Sequence, residues 1–302
     1  MTLALELVGR KLMTNAGKQR GLTTFGRKVS LLSNGEKFIF VLIILILVAA
    51  IFGESLAPYD PYYVNLKDTL LPPSADHWFG TDVNGRDLFS RILVGASSSL
   101  LSTLAVIVFA AVVGTIFGTL SALGPRWLDE IIMRFSDVAF AFPALILSLG
   151  FAAALGPSLR SAVIALALTW WPGYARLVRT FILEVKHREY VDAARVLGVS
   201  PSRLIFKHIL PNALVNLYVQ VTIDVSAVLL VISGLSFIGI GAQAPSAEWG
   251  ALVADGRNYI LAGWWTVVIP GAVICITAIL FNLAGDALRI INDPTLVRKG
   301  EK

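Results

Sequence analysis

The chain has 302 residues, of which 56% are hydrophobic and only 15% are charged, and its mean hydropathy is +0.74. This composition excludes an ordinary soluble domain and predicts a membrane protein. The net charge of +5 does not imply a nucleic-acid partner, because membrane proteins collect Lys and Arg in their cytoplasmic segments. The single cysteine, Cys275, excludes an intrachain disulfide and a cysteine-rich metal site.

Six apolar stretches are long enough for membrane-spanning helices, which need about 20 residues to cross a bilayer. We place them, in chain order, near residues 38–57, 97–122, 132–154, 160–183, 212–240 and 263–285. Pro143 and Pro172 predict kinks in the third and fourth stretches. Gly114 and Gly118 give the second a small-residue face for close helix contact. The predicted fold class is therefore an all-α membrane protein with six transmembrane helices.

The distribution of basic residues orients this arrangement. With the N-terminus inside, the inner segments hold 20 Lys and Arg and the outer segments hold 5, so both termini are predicted to be cytoplasmic. The chain then divides into four parts. They are a cytoplasmic N-terminal tail (1–37), the first transmembrane helix with an external loop (38–95), a domain of five helices (96–289) and a cytoplasmic C-terminal tail (290–302).

The predicted external loop contains a short motif of glycines and charged residues. Its residues are Gly80, Asp82, Gly85, Arg86 and Asp87. The glycines bracket acidic turn residues, which predicts a compact turn. The charged residues have two interpretations, coordination of a ligand and mutual ion pairing, and ion pairing is the favoured one.

The sequence contains no catalytic constellation, so we predict that the chain is not an enzyme. It has no Gly-x-x-x-x-Gly-Lys-Ser/Thr motif for nucleotide phosphates and no serine in a Gly-x-Ser-x-Gly context. The three histidines, His77, His187 and His208, fall on opposite sides of the predicted membrane or outside helical ligand spacing. No metal site and no cofactor of the chain's own are therefore predicted.

Asp224 is a charged residue inside the fifth predicted span. An acid at membrane depth is costly and normally faces the bundle interior or a wet cavity. Two interpretations stay open at this point. Asp224 is either a residue of a substrate pathway that meets a cationic group, or an acid paired with a partner at a helix interface.

One long polar passage, residues 186–212, interrupts the apolar pattern. Residues 189–197 lack Gly and Pro, which predicts a short helix. Gly198 follows where a left-handed residue usually ends a helix. Ser200 and Pro201 suit the cap and first residue of a second short helix. We predict two short helices separated by a break.

The first short helix has an apolar side and a charged side, and its central residues have small side chains. Val191, Ala194 and Leu197 form the predicted apolar side, and Ala193 adds to the small centre. Three interpretations compete: a solvated loop, a DNA-binding helix-turn-helix and a docking helix for a cytoplasmic partner. A position between two membrane spans disfavours DNA binding, because that motif normally belongs to a soluble domain.

The order Asp192-Ala193-Ala194, then Gly198, then Ile209-Leu210-Pro211 resembles the EAA loop of bacterial ATP-binding-cassette (ABC) importer permeases. Asp192 stands where that loop usually has Glu, and His208 takes the place of its Ile. Further stretches resemble the C-type permease subunit of dipeptide, oligopeptide and nickel importers. They are the external motif, residues 133–143, 235–241, 249–257 and 285–289. Ile232 stands where that branch often has an acid.

This resemblance implies a type I ABC importer permease fold in a bacterial or archaeal cytoplasmic membrane. Residues 96–289 would be the ABC type-1 transmembrane domain, with a coupling loop at about 186–211. The resemblance also implies four kinds of partner: a homologous B-type permease subunit, two ATPase subunits that carry ATP and Mg, an external solute-binding protein and the lipid bilayer. The residues it assigns to ATPase coupling are Glu189, Tyr190, Asp192, Ala193, Ala194, Gly198 and Pro211.

The function that follows is that of a permease subunit in an ATP-driven importer for peptides or similar small solutes. Import of nickel or a metal chelate by the same architecture is an alternative within this branch. A channel or secondary transporter that works without ATP is an alternative from another class, although the sequence lacks the paired halves usual in secondary transporters. The sequence does not name the substrate.

Overall fold

A computed structural model describes residues 33–292, and this part of the chain is helical, with only one isolated bridge, between Thr81 and Asp87. The main helices are α1 (Asn34–Leu56), α2 (Leu88–Leu123), α3 (Arg126–Phe140), α4 (Ala144–Leu155), α5 (Leu159–Lys186), α6 (Glu189–Val196), α7 (Leu217–Ile238), α8 (Trp249–Gly256) and α9 (Trp265–Asn292). The all-α prediction is confirmed for these residues. The predicted tails lie largely outside them.

Helix α1 begins four residues before the predicted span, because a capping box fixes its start. The Glu36 backbone N–H donates to the Ser33 hydroxyl at 3.3 Å, and the Ser33 N–H donates to the Glu36 carboxylate at 2.6 Å. Residues 34–37, predicted to belong to the N-terminal tail, are therefore the first turn of this helix.

Length and hydropathy allow four of the described helices to cross a membrane: α1, α2, α7 and α9. Helices α3 and α4 add a fifth crossing if they count as one span, although they meet at an angle of 90°. The predicted kink at Pro143 is thus a full break. Proline has no N–H and disfavours helical geometry in the residue before it, so α3 ends at Phe140 and Pro143 precedes α4.

Helix α5 is as long as α9 but less apolar, because Arg160, Arg176 and Arg179 interrupt it. It is not among the helices that meet the hydropathy criterion for a span. Pro172 lies inside α5 without ending it. The prediction of six crossings therefore remains a prediction.

The core is built where α2 packs against α5. A β-carbon added at Gly114 would collide with the Tyr174 side chain, and one at Gly118 would lie 2.5 Å from the Ala175 carbonyl oxygen. The predicted small-residue face is thus confirmed, and it lets the two backbones approach closely. Ile232 of α7 is fully buried in the same core, against Val106 and neighbouring residues of α2.

The opposite side of α2 remains uncovered. Its exposed apolar residues recur every three or four positions, at Leu101, Leu104, Val108, Val112 and Ile116. This spacing places them on one helical face. A face of this kind suits the lipid of a bilayer or the helices of another membrane subunit.

Helix α6 is joined to α7 by four short turns rather than by one helix. They are α-helical at Pro201–Arg203, π-helical at Leu204–Ile209, α-helical at Leu210–Ala213 and 3₁₀ at Leu214–Asn216. The π turn ends just before Pro211, whose ring would collide with a carbonyl of a regular α-helix. The Asn212 side chain donates to the His208 carbonyl at 2.6 Å. The fifth predicted span therefore begins at Leu217 rather than at residue 212.

Candidate functional site

The polar passage folds into a hairpin that we define as residues 187–209, and its first arm is α6. Val191 is fully buried and Ala194 is nearly so. Both pack in one cluster with Ile182 and Val185 of α5 and with Ile209. The predicted short helix and the second helical start at Pro201 are confirmed. The hairpin is thus fixed to the end of α5 by apolar contacts.

Gly198 ends α6 in a Schellman motif. Its backbone is left-handed, with φ of +77°. The Gly198 N–H donates to the Arg195 carbonyl at 3.0 Å, and the Val199 N–H donates to the Ala194 carbonyl at 3.1 Å. Nothing lies within 4 Å of a β-carbon added at Gly198. The requirement for glycine here is therefore conformational, not steric, and the prediction of a left-handed residue is confirmed.

The predicted apolar side of α6 divides in the structure, because Val191 and Ala194 are buried and Leu197 is not. Leu197 is 83% exposed and Val196 is 88% exposed. The helix ends at Val196, and Leu197 takes a non-helical backbone with ψ of 5°, so helical periodicity no longer sets its direction. Phe206 and Tyr190 are also exposed. The hairpin thus presents large apolar side chains outside the membrane helices, and such residues mark contact sites when they cluster.

The charged side of α6 is exposed. Asp192 pairs with Arg195 at 2.8 Å, and both side chains are more than half exposed. An ion pair of this kind contributes about 0–1 kcal/mol, so Asp192 exchanges partners at little cost. Glu189 and Ala193 are also exposed. The small Ala193 leaves one face of α6 open to close approach.

A cavity of about 280 Å³ lies among the membrane helices, between α5, α7 and the α3–α4 corner. Asp224 and Gln220 of α7 line it, and the Gln220 amide donates to the Asp224 carboxylate at 3.0 Å. Tyr174 of α5 lines the same cavity. Asp224 therefore lines a half-open cavity between these helices.

The external motif forms the compact turn that its glycines predict. Gly80 and Gly85 have φ of +75° and +68°. The Asp82 carboxylate accepts the Arg86 Nε–H at 2.7 Å and the Arg86 backbone N–H at 3.0 Å. Ion pairing is thus confirmed for this pair. Asp87 has a different role. Its carboxylate caps α2 by accepting the Ser90 N–H at 2.8 Å, and it lies 2.9 Å from Nδ1 of His77.

The sequence reading missed the residue at the centre of this motif, Arg91. It is fully buried and paired with Asp82, and its guanidinium also donates to the Ser246 carbonyl at 3.0 Å. Asp255 lies 3.8 Å from it. One signal was available, because an Arg that enters an apolar run needs a partner. Arg91 joins the external turn to the segment around α8.

Two acids near this turn have shifted pKa values. Burial raises the pKa of Glu248, although the backbone N–H groups of Gly250 and Ala251 oppose that rise. Burial also raises the pKa of Asp255, opposed by the charges of Arg91 and Arg86. Glu248 is fully buried and accepts the Ala251 N–H at 3.0 Å, so it caps α8. Both acids serve the packing of the segment around α8.

Apolar helices suited to a bilayer, a hairpin that extends beyond them and a polar cavity between them define a membrane transport subunit. The chain belongs to the family of binding-protein-dependent transport system inner membrane components, whose model matches residues 114–298. The N-terminal transmembrane domain of oligopeptide transport permease C matches residues 38–73. The resemblance drawn from the sequence and the inner-membrane location are confirmed.

Curated relatives cover most of the chain. It is 49% identical over 254 residues to a probable D,D-dipeptide transport system permease protein, DdpC, of Escherichia coli (strain K12), covering 84% of this chain and 85% of the relative. It is 40% identical over 256 residues to the oligopeptide transport system permease protein OppC of Bacillus subtilis (strain 168), covering 85% and 84%.

Solved structures share the fold at low sequence identity. A chain of the MetNI methionine ABC transporter in an inward-facing conformation matches with a TM-score of 0.55 and 20% identity, covering 67% of this chain and 97% of that one. A chain of an amino acid ABC transporter with histidines matches with a TM-score of 0.54 and 16% identity, covering 69% and 94%. The fold is thus that of ABC-importer permeases.

Proposed function

We propose that this chain is one of two permease subunits of an ATP-driven peptide importer, and that α6 couples it to an ATPase. The observation that carries the proposal is the hairpin, where a rigidly held helix exposes Val196 and Leu197 to solvent. Exposed apolar residues on a thin helix fit a groove of another protein. The sequence has no phosphate-binding loop, so ATP and Mg would belong to partner subunits.

Helix α5 supplies the mechanical link between hairpin and cavity. It runs from the cavity residue Tyr174 to Lys186, a distance of about 18 Å at the helical rise of 1.5 Å per residue. Val191 and Ala194 of α6 pack against Ile182 and Val185 near its end. A push on α6 by an ATPase would move α5 and therefore one wall of the cavity, as a rigid-body transition.

The residues of the hairpin receive separate roles in this proposal. Glu189, Tyr190 and Asp192 are exposed and would contact the ATPase. Ala193 permits close approach, and Ala194 anchors α6 on α5. The two remaining residues lie at the break between the short helices and just after the end of the hairpin. Gly198 supplies the left-handed turn, and Pro211 sets the exit toward α7.

The proposed topology has six crossings with both termini in the cytoplasm. Helix α5 is the crossing added to the four apolar helices and the α3–α4 pair. Two of its arginines are neutralised by acids of α3: Arg176 pairs with Asp137 at 2.7 Å, and Arg179 pairs with Asp129 at 2.7 Å. Pairing of this kind makes charge within a membrane helix tolerable. The excess of inner Lys and Arg then places the hairpin on the ATPase side.

Peptides are the proposed substrates because the curated relatives carry dipeptide and oligopeptide transport in their names. No observation favours the metal alternative: among residues 33–292, no three His, Cys, Asp or Glu side chains form a metal-binding group. The remaining proposed partners are a B-type permease and a solute-binding protein, and Asp224 is the proposed pathway residue. Binding-protein dependence is part of the family description.

The coupling role can be tested with a pair of matched substitutions. Leu197→Asp should abolish co-purification of the ATPase subunits with the permease pair, because a charge would enter an apolar contact. Leu261→Asp is the control, since Leu261 is fully exposed on the proposed external side. Equal ATPase recovery with both variants, in complexes of normal permease yield, would refute coupling through this hairpin.

A further inference from the structure

Asp224 has no counter-ion within the described chain. It is the eighth residue of α7 and lies about 10 Å along that helix. The groups that act on it, the Gln220 amide among them, are neutral, and no Lys, Arg or His between residues 33 and 292 pairs with it. Acids in transmembrane helices face a partner charge or a wet cavity. Because no described charge pairs with Asp224, its carboxylate is open to a cationic group that enters the cavity it lines.

The cavity around Asp224 suits a small organic cation. Its volume of about 280 Å³ is near the lower end of the range for small-molecule pockets, about 300–1,000 Å³. Phe140, Trp170 and Tyr174 supply aromatic walls, and aromatic faces attract ammonium groups. The Phe140 ring already holds the Arg176 guanidinium 4.5 Å from its centroid, so Trp170 and Tyr174 are the faces open to a ligand. The buried Tyr174 hydroxyl has no hydrogen-bond partner of ordinary geometry among the described residues, although Asp224 acts on it electrostatically.

Other occupants fit less well. A transition-metal ion needs several convergent ligands, and the described chain brings no three acids, histidines or cysteines together. A purely apolar solute would leave the Asp224 carboxylate without a counter-ion and would offer the Tyr174 hydroxyl no partner. A ligand with one ammonium group and a small apolar body fits this cavity. Its ammonium would face Asp224, and its apolar body would contact Ala144 and Leu177, which complete the lining.

We propose that Asp224, Gln220 and Tyr174 form a site for the amino-terminal ammonium group of a peptide in transit. This inference rests on the proposed function as a peptide importer. The terminal ammonium is the cation that unblocked peptides share whatever their side chains. A site that reads this group therefore passes peptides of varied sequence and selects against blocked amino termini.

The test measures charge preference in the cavity without using transport. Ala144 lines the cavity and makes no bond to Asp224, so Ala144→Cys in a Cys275→Ser background places a thiol there. A methanethiosulfonate transfers its alkylthio group to this thiolate, forming a disulfide and releasing methanesulfinate. Rates are compared for aminoethyl (cationic) and sulfonatoethyl (anionic) reagents on the purified complex, and the labelled peptide is identified by mass.

The cationic reagent should be favoured by about tenfold or more, relative to the same ratio at Leu261→Cys, because charged clefts raise local counter-ion concentration by 10–10³. Asp224→Asn should reduce the ratio to that of Leu261→Cys, and Asp224→Glu should preserve it. Millimolar dialanine should slow labelling, whereas N-acetyl-dialanine should not. No charge preference, or equal protection by the two peptides, would overturn the proposal.

A separate measurement distinguishes this inference from the proposed function. ATP-dependent uptake of a peptide by the reconstituted native complex tests the importer itself. If uptake is ATP-dependent but the cavity shows no preference for cations, only the ammonium site is refuted. If dialanine protects the thiol through Asp224 but uptake needs no ATP, the importer proposal fails and the site stands.

Discussion

Asp82 holds two buried guanidinium groups, and its replacement by Asn should destabilise the protein more than any other single change in the external turn. Arg86 and Arg91 are 3% and 0% exposed, and Asp82 is 4% exposed. Asn keeps the size of the side chain but removes the charge. Breaking a buried pair by removing one partner costs about 3–5 kcal/mol.

Asp255 moderates this loss. It lies 3.5 Å from Arg86 and 3.8 Å from Arg91, so it still compensates part of their charge. We therefore expect a loss near the lower end, about 3 kcal/mol, which is about a hundredfold in the folded-to-unfolded ratio. The midpoint of thermal unfolding should fall by up to about 6–12 °C, taking the value of about 2–4 °C per kcal/mol for domains of about 150–250 residues.

The assay is thermal unfolding of the purified complex in detergent, followed by the fraction that stays monodisperse. Asp255→Asn is the matched control, because this acid is 27% exposed and its contacts are longer, and it should cost about 1 kcal/mol. Adding Arg91→Met to Asp82→Asn should recover part of the loss, since the two residues share one network. A larger effect from Asp255→Asn than from Asp82→Asn would refute the assignment of Asp82 as the central acid.

Three further predictions concern the α2–α5 contact, the hairpin and the Glu248 cap of α8. Gly118→Ala should reduce stability by about 1–3 kcal/mol through overpacking, because the added β-carbon would lie 2.5 Å from the Ala175 carbonyl oxygen. Thermal unfolding measures this loss. Gly150→Ala is the control, since nothing lies within 4 Å of a β-carbon added at Gly150. Gly198→Val should abolish transport or assembly, since a β-branched residue resists φ of +77°; full uptake by this variant would contradict the coupling proposal. Glu248→Gln should flatten the pH dependence of stability. The raised pKa of Glu248 means that its contribution is fully present below the unfolded value of 4.5 and is lost as pH rises through the folded pKa; parallel pH profiles of the two proteins would contradict that shift.

Local features of the fold were predictable from sequence because short-range physics decides them. Gly198 after a helix-forming run indicated a left-handed end, and the Schellman hydrogen bonds confirm it. Gly114 and Gly118, spaced four apart in an apolar helix, indicated close packing. Each signal depends on a few neighbouring residues and on a backbone preference that tertiary contacts do not reverse.

The features that were missed depend on distant partners or on the precise end of a helix. A kink at Pro143 was predicted, not a break, and the observed angle of 90° accompanies tertiary contacts such as that between the Arg176 guanidinium and the Phe140 ring, whose centroid lies 4.5 Å away. Besides the nearby Asp82, Arg91 binds the Ser246 carbonyl, 155 residues further along the chain. Leu197 lies apart from Val191 and Ala194 because α6 ends at Val196, a boundary that local sequence patterns do not fix to the residue.

The cavity at Asp224 shows the same limit. The sequence indicated that this acid would face the bundle interior or a wet cavity. Its walls come from three separate parts of the chain, at Phe140, Tyr174 and Gln220. The relative position of those parts depends on the α3–α4 corner, which local sequence patterns do not define.

Photo-crosslinking from the hairpin in the assembled complex tests the central claim most directly. A photoreactive benzoylphenylalanine in place of Val196, which is 88% exposed, would sit at the proposed contact. We predict an adduct between this chain and an ATPase subunit. An adduct with the external solute-binding protein, or none with the ATPase in either the presence or the absence of ATP, would contradict the account.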